Sequence, residues 1–275
     1  KSNKVIYAGV DHFSRVRSSC PVSEVKRLAG KEELILCIGT AYTHKNRMLA
    51  LEIWKEMRIK GFKGDIVLAG ATPPFGSSSA YESEFVLANP DLANGVHDLG
   101  EISESEKYWL YSKSVLVLHP TLSEGFGLVP FEAAEAGVPV LSTRQGSLDE
   151  VLPSGIPIIE RFDGRSNATK ALEIISNPEM GAMIVDLINK KGMEYTWERC
   201  ANGVIECIDG MVDGSARMIE AISLESGFRS DHSSRLPNEG MLMRVLKLIN
   251  RFTLGRLMRK AIAPKNSRRE AFILQ

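Results

Sequence analysis

Short aliphatic runs alternate with amphipathic segments of helical period along most of this 275-residue chain. An aliphatic run of four to eight residues is typical of a strand buried on both faces, and a helix between two such strands provides the crossover of a parallel sheet. The alternation therefore predicts an α/β fold with a doubly wound, Rossmann-like parallel sheet. The predicted strands are, in chain order, residues 34–39, 65–70, 96–100, 114–120, 138–143 and 156–159.

The segments between these strands have the period and the end signals of helices. Leu49, Ile53 and Met57 share one face of the first segment, as expected of an amphipathic helix. Ser103, followed three residues later by Glu106, has the spacing of a capping box and predicts a helix start. The predicted helices are residues 46–60, 80–88, the segment after Ser103, 166–176, 178–191 and 197–212.

Composition and charge limit the functions that the chain can have. A hydrophobic content of 44% supports a sizeable core. Lysine plus arginine (34) equals aspartate plus glutamate (34), so no net field indicates nucleic acid or an acidic partner. The four cysteines lack the Cys-x-x-Cys spacing of metal and redox sites, which favours a reduced, cytoplasmic compartment.

The last 62 residues differ in composition from the rest of the chain. Residues 214–240 are rich in Ser, Gly, Arg and Asp and have no sustained period, so we expect a linker. Residues 241–275 predict a basic, amphipathic, helical extension. It is a membrane-surface helix, in which each basic residue contributes about 1 kcal/mol, or a helix that packs on the preceding domain, or the start of another module. Gly255 and Pro264 interrupt it and slightly favour the last two interpretations.

Two loops of the predicted sheet should meet at one crevice. In the strand order 3-2-1-4-5-6 the first and fourth strands are neighbours, and ligands bind outside their carboxyl ends. Residues 40–46 follow the first strand and residues 121–127 follow the fourth. Each loop opens a helix, so each presents unpaired N–H groups and a positive dipole end to an anion. Lys45 adds a positive charge, and Gly125 and Gly127 let the backbone approach a phosphate.

Two glutamates lie at and after the glycine-rich turn. Glu124 is in the turn and Glu132 is eight positions later, in the second turn of the following helix. A carboxylate accepts hydrogen bonds from sugar hydroxyls. Eight positions span about 12 Å in a helix, a separation that fits the hydroxyls at the two ends of the diphosphate in a nucleotide sugar.

The run EGFGLVPFE (124–132) resembles the donor-sugar motif of retaining glycosyltransferases with the GT-B fold, specifically family 4 and its relatives. Other segments extend the resemblance, in the same order, over roughly residues 4–210. VIYAGVD resembles the linker into the C-terminal domain, IGTAYTHKN the first diphosphate loop, and YTWERCANGVIECI the closing helix. Several separated motifs in the right order are far more specific than any one of them.

The resemblance implies a role for each matching residue. Lys45 would contact the donor diphosphate, Glu132 would bind the ribose hydroxyls, and Glu124 would lie near the transferred sugar as the catalytic candidate. The turn would offer its backbone amides to phosphate or sugar, and a second turn would offer main-chain contacts to the base. These backbone contacts fall on Gly125, Phe126, Gly127 and Leu128 in the first turn and on Glu101 and Ile102 in the second.

Three positions leave alternatives open. Many family members have arginine directly after the glycine of the first loop, where this chain has Thr40, and Arg47 and Arg144 are candidate replacements at the diphosphate. His119 is equally a packed or capping side chain and a ligand contact. Ser147 and Glu150 either line the donor site or cap a short helix.

The resemblance also implies an organisation into four parts. Residues 1–15 would be the linker from a preceding acceptor domain, and residues 16–213 the nucleotide-sugar donor domain of a GT-B enzyme. The linker 214–240 and the basic extension 241–275 would follow. With the acceptor domain preceding Lys1, we expect this chain by itself to bind the donor weakly and to transfer little sugar.

The implied reaction is transfer of a sugar from a nucleotide-diphosphate donor to a saccharide or lipid-linked saccharide, with retention, in glycan, polysaccharide or glycolipid synthesis. No Asp-x-Asp motif occurs, so Lys45 and helix N-termini would replace a metal as counter-charge; we expect neither a metal nor a cofactor. The expected location is the cytoplasm, with peripheral contact at the inner membrane face through residues 241–275 if those bind lipid. The alternative is a non-catalytic module that binds nucleotide sugars.

Overall fold

A computed structural model of the chain describes residues 4–12, 25–28, 30, 31 and 33–210. The predicted linker 214–240 and extension 241–275 lie outside the described residues, as do the last two residues of the helix predicted over 197–212. The four-part division of the chain therefore stays a prediction.

Five parallel strands form one sheet in the order β3-β2-β1-β4-β5. This order reverses its winding between β1 and β4, so the predicted doubly wound sheet is confirmed. β1 is flanked on both sides, with Ile35 paired to Ile66 of β2 and to Leu116 of β4. The strands are β1 (Leu34–Ile38), β2 (Ile66–Ala69), β3 (Val96–Asp98), β4 (Ser114–His119) and β5 (Val140–Ser142).

The strand predicted over residues 156–159 is wrong as a strand. Its contact with the sheet is one parallel bridge between Ile158 and Ser142, with the Ile159 N–H donating to the Ser142 carbonyl at 2.9 Å. Pro157 has no N–H and cannot donate a hydrogen bond to a ladder at this position. The aliphatic run still packs, and Ile156 and Ile159 are buried.

The predicted helices are confirmed, and within the described residues their ends differ by at most two residues from those expected. Ser103 and Glu106 form the predicted capping box: the Ser103 hydroxyl accepts from the Glu106 N–H, and the Glu106 carboxylate accepts from the Ser103 N–H at 2.8 Å. The helices are α1 (Arg47–Ile59), α2 (Ser79–Ala88), α3 (Glu104–Lys113), α4 (Leu128–Glu135), α5 (Leu148–Val151), α6 (Gly164–Ser176), α7 (Pro178–Gly192) and α8 (197–210).

The core lies on both faces of the central strands. Leu34, Ile35 and Leu36 are fully buried, because helices cover a doubly wound sheet on both sides. α1 packs against α6, and α4 packs against α7. Trp54, at the centre of α1, is also fully buried, and its indole N–H donates to the Gly64 carbonyl at 2.9 Å. The aliphatic runs of the sequence are therefore explained by two-sided burial.

The first described segment, residues 4–12, is attached to the start of α8. The Val10 N–H donates to the Tyr195 carbonyl at 2.9 Å, and the Trp197 N–H donates to the Asp11 carboxylate at 2.8 Å. Gly9 lies so close that a Cβ there would be 2.3 Å from the Trp197 nitrogen. The two ends of the region that resembles a donor domain are thus held together.

Within the described residues, none of the helices combines the length and the apolar character that crossing a membrane requires.

Candidate functional site

The β1 loop (residues 40–46) and the β4 loop (residues 121–127) are joined by hydrogen bonds. The Leu122 N–H and the Thr121 hydroxyl both donate to the His44 carbonyl, at 2.7 and 3.1 Å. The two loops therefore line one crevice at the carboxyl ends of neighbouring strands, as the strand order predicted.

Asn46 shapes the end of the β1 loop. Its backbone lies in the left-handed region (φ 55°, ψ 42°) between the 3₁₀ turn Thr43–Lys45 and the start of α1, a conformation that asparagine tolerates better than most residues. Its side-chain amide donates to the Pro120 carbonyl at 3.2 Å. The side chain of Asn46 thus holds the N-terminus of α1 against the end of β4.

Lys45 and Glu124 form an ion pair across the crevice. The Lys45 Nζ lies 2.5 Å from the Glu124 Oε1, and the side chains are 22% and 11% exposed. The His119 Nε2 lies 3.1 Å from the same oxygen. The structure therefore brings the predicted diphosphate lysine and the predicted catalytic carboxylate into direct contact.

Glu124 is ionised under physiological conditions. Burial by itself raises the pKa of its carboxyl, but the hydrogen bonds and charges of His119 and Lys45 outweigh burial and lower the pKa to about 2. The carboxylate is therefore an acceptor of hydrogen bonds and not a proton donor at neutral pH.

His119 is a contact of the site and is also packed in the core. It is the last residue of β4 and is 3% exposed. Burial lowers its pKa, and the hydrogen bond to Glu124 only partly reverses that effect. The ring is thus neutral at neutral pH, and its other nitrogen, Nδ1, lies 3.1 Å from the Ser142 hydroxyl in β5.

Glu132 is held by two side chains of α3. The Lys107 Nζ lies 2.9 Å from its Oε1, and the Tyr111 hydroxyl donates to its Oε2 at 3.0 Å. The His12 Nε2 lies 3.6 Å from Oε1. Because a carboxylate has about four acceptor positions, each oxygen keeps capacity for a further donor, as the predicted ribose contact requires.

The partners of Glu132 were not named from the sequence. Lys107 and Tyr111 are four residues apart, a spacing that places them on one face of α3. The four-residue spacing could have indicated from the sequence that the two side chains act together, but only the tertiary structure shows that they meet Glu132.

The glycine-rich turn is fastened to α5. Gly127, the N-cap of α4, has φ +91°, and a Cβ there would lie 2.2 Å from the Leu148 Cδ2. The Glu124 carbonyl accepts from the N–H and the hydroxyl of Ser147, at 3.3 and 3.2 Å. Ser147 thus positions the turn, while Glu150 accepts from the Tyr7 hydroxyl at 2.9 Å.

The backbone of this turn offers donors to a ligand. Among the described residues, no acceptor is bonded to the N–H groups of Phe126, Gly127 or Leu128. Pro130, the third residue of α4, has no N–H, and this costs no helical bond because the first amides of a helix have no intrahelical acceptor. Gly125 is exposed, and a Cβ there would meet nothing within 4 Å.

Arg47 is not available to a diphosphate, contrary to one of the two suggestions made from the sequence. Its side chain is 1% exposed. Its Nη2 donates to the carbonyls of Gly39 and Gly70, at 2.7 and 3.3 Å, and its Nη1 lies 3.4 Å from the Glu82 carboxylate. The guanidinium therefore joins the ends of β1 and β2 inside the protein.

Arg144 is not positioned to replace the arginine that many family members have where this chain has Thr40. Its guanidinium donates to the carbonyls of Leu152, at 3.3 Å, and Pro153, just after α5. Its carbonyl contacts are those of an arginine that caps a helix end. Lys45 is left as the cation that the β1 loop contributes to the crevice.

Glu101 and Ile102 follow β3 at the same edge of the sheet. The Gly70 N–H, after β2, donates to the Gly100 carbonyl at 2.7 Å, which holds this turn beside the end of β2. Strands are about 4.8 Å apart in a sheet, so the turn lies roughly two strand spacings from β1. The predicted base-binding turn and the predicted diphosphate loop thus share one edge.

No group of three or more His, Cys, Asp or Glu side chains suited to a metal ion occurs in the part of the chain that the structure describes.

The sequence model of the family described as "Glycosyl transferases group 1" matches residues 22–187, which is more than half of the 275 residues. The chain belongs to the glycosyl transferases group 1 family.

Curated relatives of this glycosyl transferases group 1 chain include bacterial and fungal transferases. It is 26% identical to the O-antigen chain mannosyltransferase RfbU of Salmonella typhimurium over 68% of this chain and 53% of the relative. It is 24% identical to the phosphatidylinositol N-acetylglucosaminyltransferase gpi3 subunit of Schizosaccharomyces pombe over 70% of this chain and 42% of the relative. The chain thus spans about half the length of the relatives it matches.

Solved structures with the same fold include Anabaena Alr3699/HepE in complex with UDP and glucose. It superposes with a TM-score of 0.61 at 19% identity, over 75% of this chain and 56% of that one. Sucrose-phosphate synthase of Thermosynechococcus elongatus superposes with a TM-score of 0.59 at 19% identity, over 76% and 52%. At these identities the likeness establishes the fold of the group 1 domain.

Proposed function

We propose that the chain is the donor-binding half of a glycosyltransferase that uses a nucleotide-diphosphate sugar and retains the anomeric configuration. The observation that carries the proposal is the Lys45–Glu124 pair across the crevice, with Glu132 in the second turn of α4. One cation, free backbone amides and two carboxylates are the groups that a sugar diphosphate requires. The solved structure of Alr3699/HepE with UDP and glucose supports a donor of this kind.

The leaving diphosphate would be stabilised by fixed positive groups. Lys45 supplies a full charge, and the first turns of α1 and α4 supply N–H groups and the positive ends of two helix dipoles. Donors that are already in place where negative charge develops lower the barrier without rearrangement. We therefore propose transfer that depends on neither a metal nor a cofactor.

The two carboxylates would bind opposite ends of the donor. Glu132, fixed by Lys107 and Tyr111, would accept from the ribose hydroxyls. Glu124, ionised and fixed by Lys45 and His119, would accept from a hydroxyl of the transferred sugar. The turn of Glu101 and Ile102 would supply main-chain contacts to the base.

The transferred group would be a hexose and the acceptor a saccharide or a lipid-linked saccharide, held by an acceptor domain that precedes this region. The names of the two relatives, a mannosyltransferase and an N-acetylglucosaminyltransferase, support this class. Such an enzyme would act in the cytoplasm, and residues 241–275 would provide peripheral membrane contact if they bind lipid. Flotation with anionic liposomes, with and without these residues, separates the membrane interpretation of the extension from the other two.

A thermal-shift panel of UDP-, GDP- and ADP-sugars tests the proposal. We expect one base to raise the Tm of the wild-type chain and Glu132→Ala to abolish that shift. Glu135→Ala, an exposed position on the same helix, is the matched control and should respond like the wild type. If no nucleotide sugar raises the Tm of the wild type, the proposed function is wrong.

A further inference from the structure

We propose that His119 is a positioning residue for the sugar end of the donor, with its ring fixed by Ser142. The inference rests on the proposed function, since it assigns to His119 the task of holding Glu124 for a sugar hydroxyl. The role assigned to His119 concerns recognition of the transferred sugar, and not recognition of the diphosphate or the base.

Both partners of Glu124 bind the same oxygen. Lys45 and His119 contact Oε1 at 2.5 and 3.1 Å, and no described residue is bonded to Oε2. Lys45 comes from the β1 loop and His119 from the end of β4, so the carboxylate is held from two directions. The arrangement fixes one oxygen and leaves the other to accept a hydrogen bond from a ligand.

The neutral ring of His119 can hold Glu124 in only one tautomer. A proton on Nε2 donates to the carboxylate, whereas a lone pair on Nε2 would face a negative charge. Nδ1 must then be the acceptor, and the Ser142 hydroxyl, 3.1 Å away, is the donor. The same hydroxyl lies 3.0 Å from the Thr143 carbonyl. If the Ser142 proton pointed to that carbonyl, a lone pair of the Ser142 oxygen would face the lone pair of Nδ1.

Lys45 cannot do this work alone. When a diphosphate enters the crevice, the Lys45 ammonium divides its hydrogen bonds between phosphate and Glu124, because it is the cation that the β1 loop contributes. His119 is uncharged and buried, so a diphosphate does not compete for it. Its hydrogen bond keeps Glu124 in place while the donor binds, and its loss should weaken recognition of the sugar and leave recognition of the nucleotide unchanged.

The test compares each nucleotide with its sugar conjugate. Isothermal titration calorimetry of the 275-residue chain would use UDP with UDP-glucose, GDP with GDP-mannose, and ADP with ADP-glucose. For the pair that binds the wild type, His119→Leu should weaken the nucleotide sugar about tenfold, the loss of roughly one hydrogen bond to a charged group, and change the nucleotide less than twofold. His119→Gln, which keeps an N–H donor, should recover most of the affinity.

A control and a second variant make the result specific. His97→Leu breaks another histidine–carboxylate pair, 2.9 Å from Asp65, and should leave both affinities unchanged. If His119→Leu does not fold, Ser142→Ala should show the same selective loss to a smaller degree. Equal losses for nucleotide and nucleotide sugar, or no loss for either, would overturn the role of His119. Absence of binding to the wild type would overturn the proposed function, and this role with it.

Discussion

Glu124 and Glu132 carry the same carboxylate into different surroundings. Glu124 meets an ammonium and a neutral imidazole on one oxygen, whereas Glu132 meets an ammonium and a tyrosine hydroxyl on separate oxygens. A carboxylate held at one oxygen leaves its second oxygen to accept from a ligand. A carboxylate held at both oxygens is fixed more firmly and accepts from a ligand with its remaining lone pairs. The difference is consistent with the proposed roles, a single sugar hydroxyl for Glu124 and the paired hydroxyls of a ribose for Glu132.

The acid stability of the chain should depend on Glu124. Its pKa is about 2 in the folded chain against an ordinary value of 4.5, so the ionised group stabilises the fold above pH 4.5 and that stabilisation is lost as the pH falls toward 2. Between pH 6 and pH 3, the free energy of unfolding should therefore drop more for the wild type than for Glu124→Gln. Urea denaturation at each pH measures both.

His119 needs a control in that comparison, because it titrates in the same direction. Its pKa is lowered in the folded chain, so stability is also lost as the pH falls below 6.5, and its ring faces Lys45, Glu124 and, farther off, Glu132. Repeating the pair in a His119→Gln background removes the imidazole. In that background, the drop in the free energy of unfolding between pH 6 and pH 3 should still be roughly 1–3 kcal/mol larger with Glu124 present than in Glu124→Gln. Parallel pH profiles would show that Lys45 does not hold Glu124.

Arg47 should contribute strongly to stability and not to ligand binding. Arg47→Met removes the cation and leaves Glu82 buried without its charge partner, so we expect a loss of about 3–5 kcal/mol in the free energy of unfolding. Adding Glu82→Gln should recover part of it. Arg144→Ala, at a partly exposed site, should cost far less in the same denaturation experiment, and equal costs would contradict the assignment of Arg47 to the core.

The sequence singled out the candidate residues of the crevice but not the side chains that hold them. Lys45, Glu124 and Glu132 stand in a motif or at a loop end, where type and position carry information. His119 meets Ser142 across 23 positions, and Glu132 meets Lys107 across 25. Such pairings depend on which strands and helices become neighbours, and the chain order alone does not specify this at the level of single side chains.

At the scale of elements, strand prediction succeeded where burial leaves a continuous aliphatic run, as in β1 and β4. It failed at residues 156–159, where an equally apolar run makes one isolated bridge to β5 and Pro157 has no N–H to donate. The turn before α4 depends on backbone geometry instead. Gly127 must be in the left-handed region and has Leu148 against it, whereas Gly125 has neither constraint.

The two glycines of the turn should therefore respond differently to alanine. Gly127→Ala should destabilise the chain by about 2–4 kcal/mol, the sum of a left-handed alanine and an overpacked contact with Leu148. Gly125→Ala should change the free energy of unfolding by less than about 0.5 kcal/mol. Equal effects in urea denaturation would show that the turn before α4 is not held in this geometry.

At the scale of the whole molecule, the order of the strands creates the site. The crevice exists because β1 and β4 are neighbours with their carboxyl ends on one edge, and residues 74 to 79 positions apart meet there. That much followed from alternation and a known rule of sheet winding. The identity of the acceptor did not follow from the sequence. The chain spans about half the length of its relatives, and the residues that would bind an acceptor would belong to another domain.

The proposal that the crevice binds a nucleotide sugar is tested most directly by calorimetric titration of the 275-residue chain with the nucleotide sugar that gives the largest thermal shift. We predict one site per chain and affinities at least tenfold weaker in Lys45→Ala and in Glu132→Ala, since each removes a charged hydrogen-bond partner. Lys60→Ala, at the opposite end of α1, should bind like the wild type. Wild-type affinity in both crevice variants, or no binding by the wild type, would contradict the account.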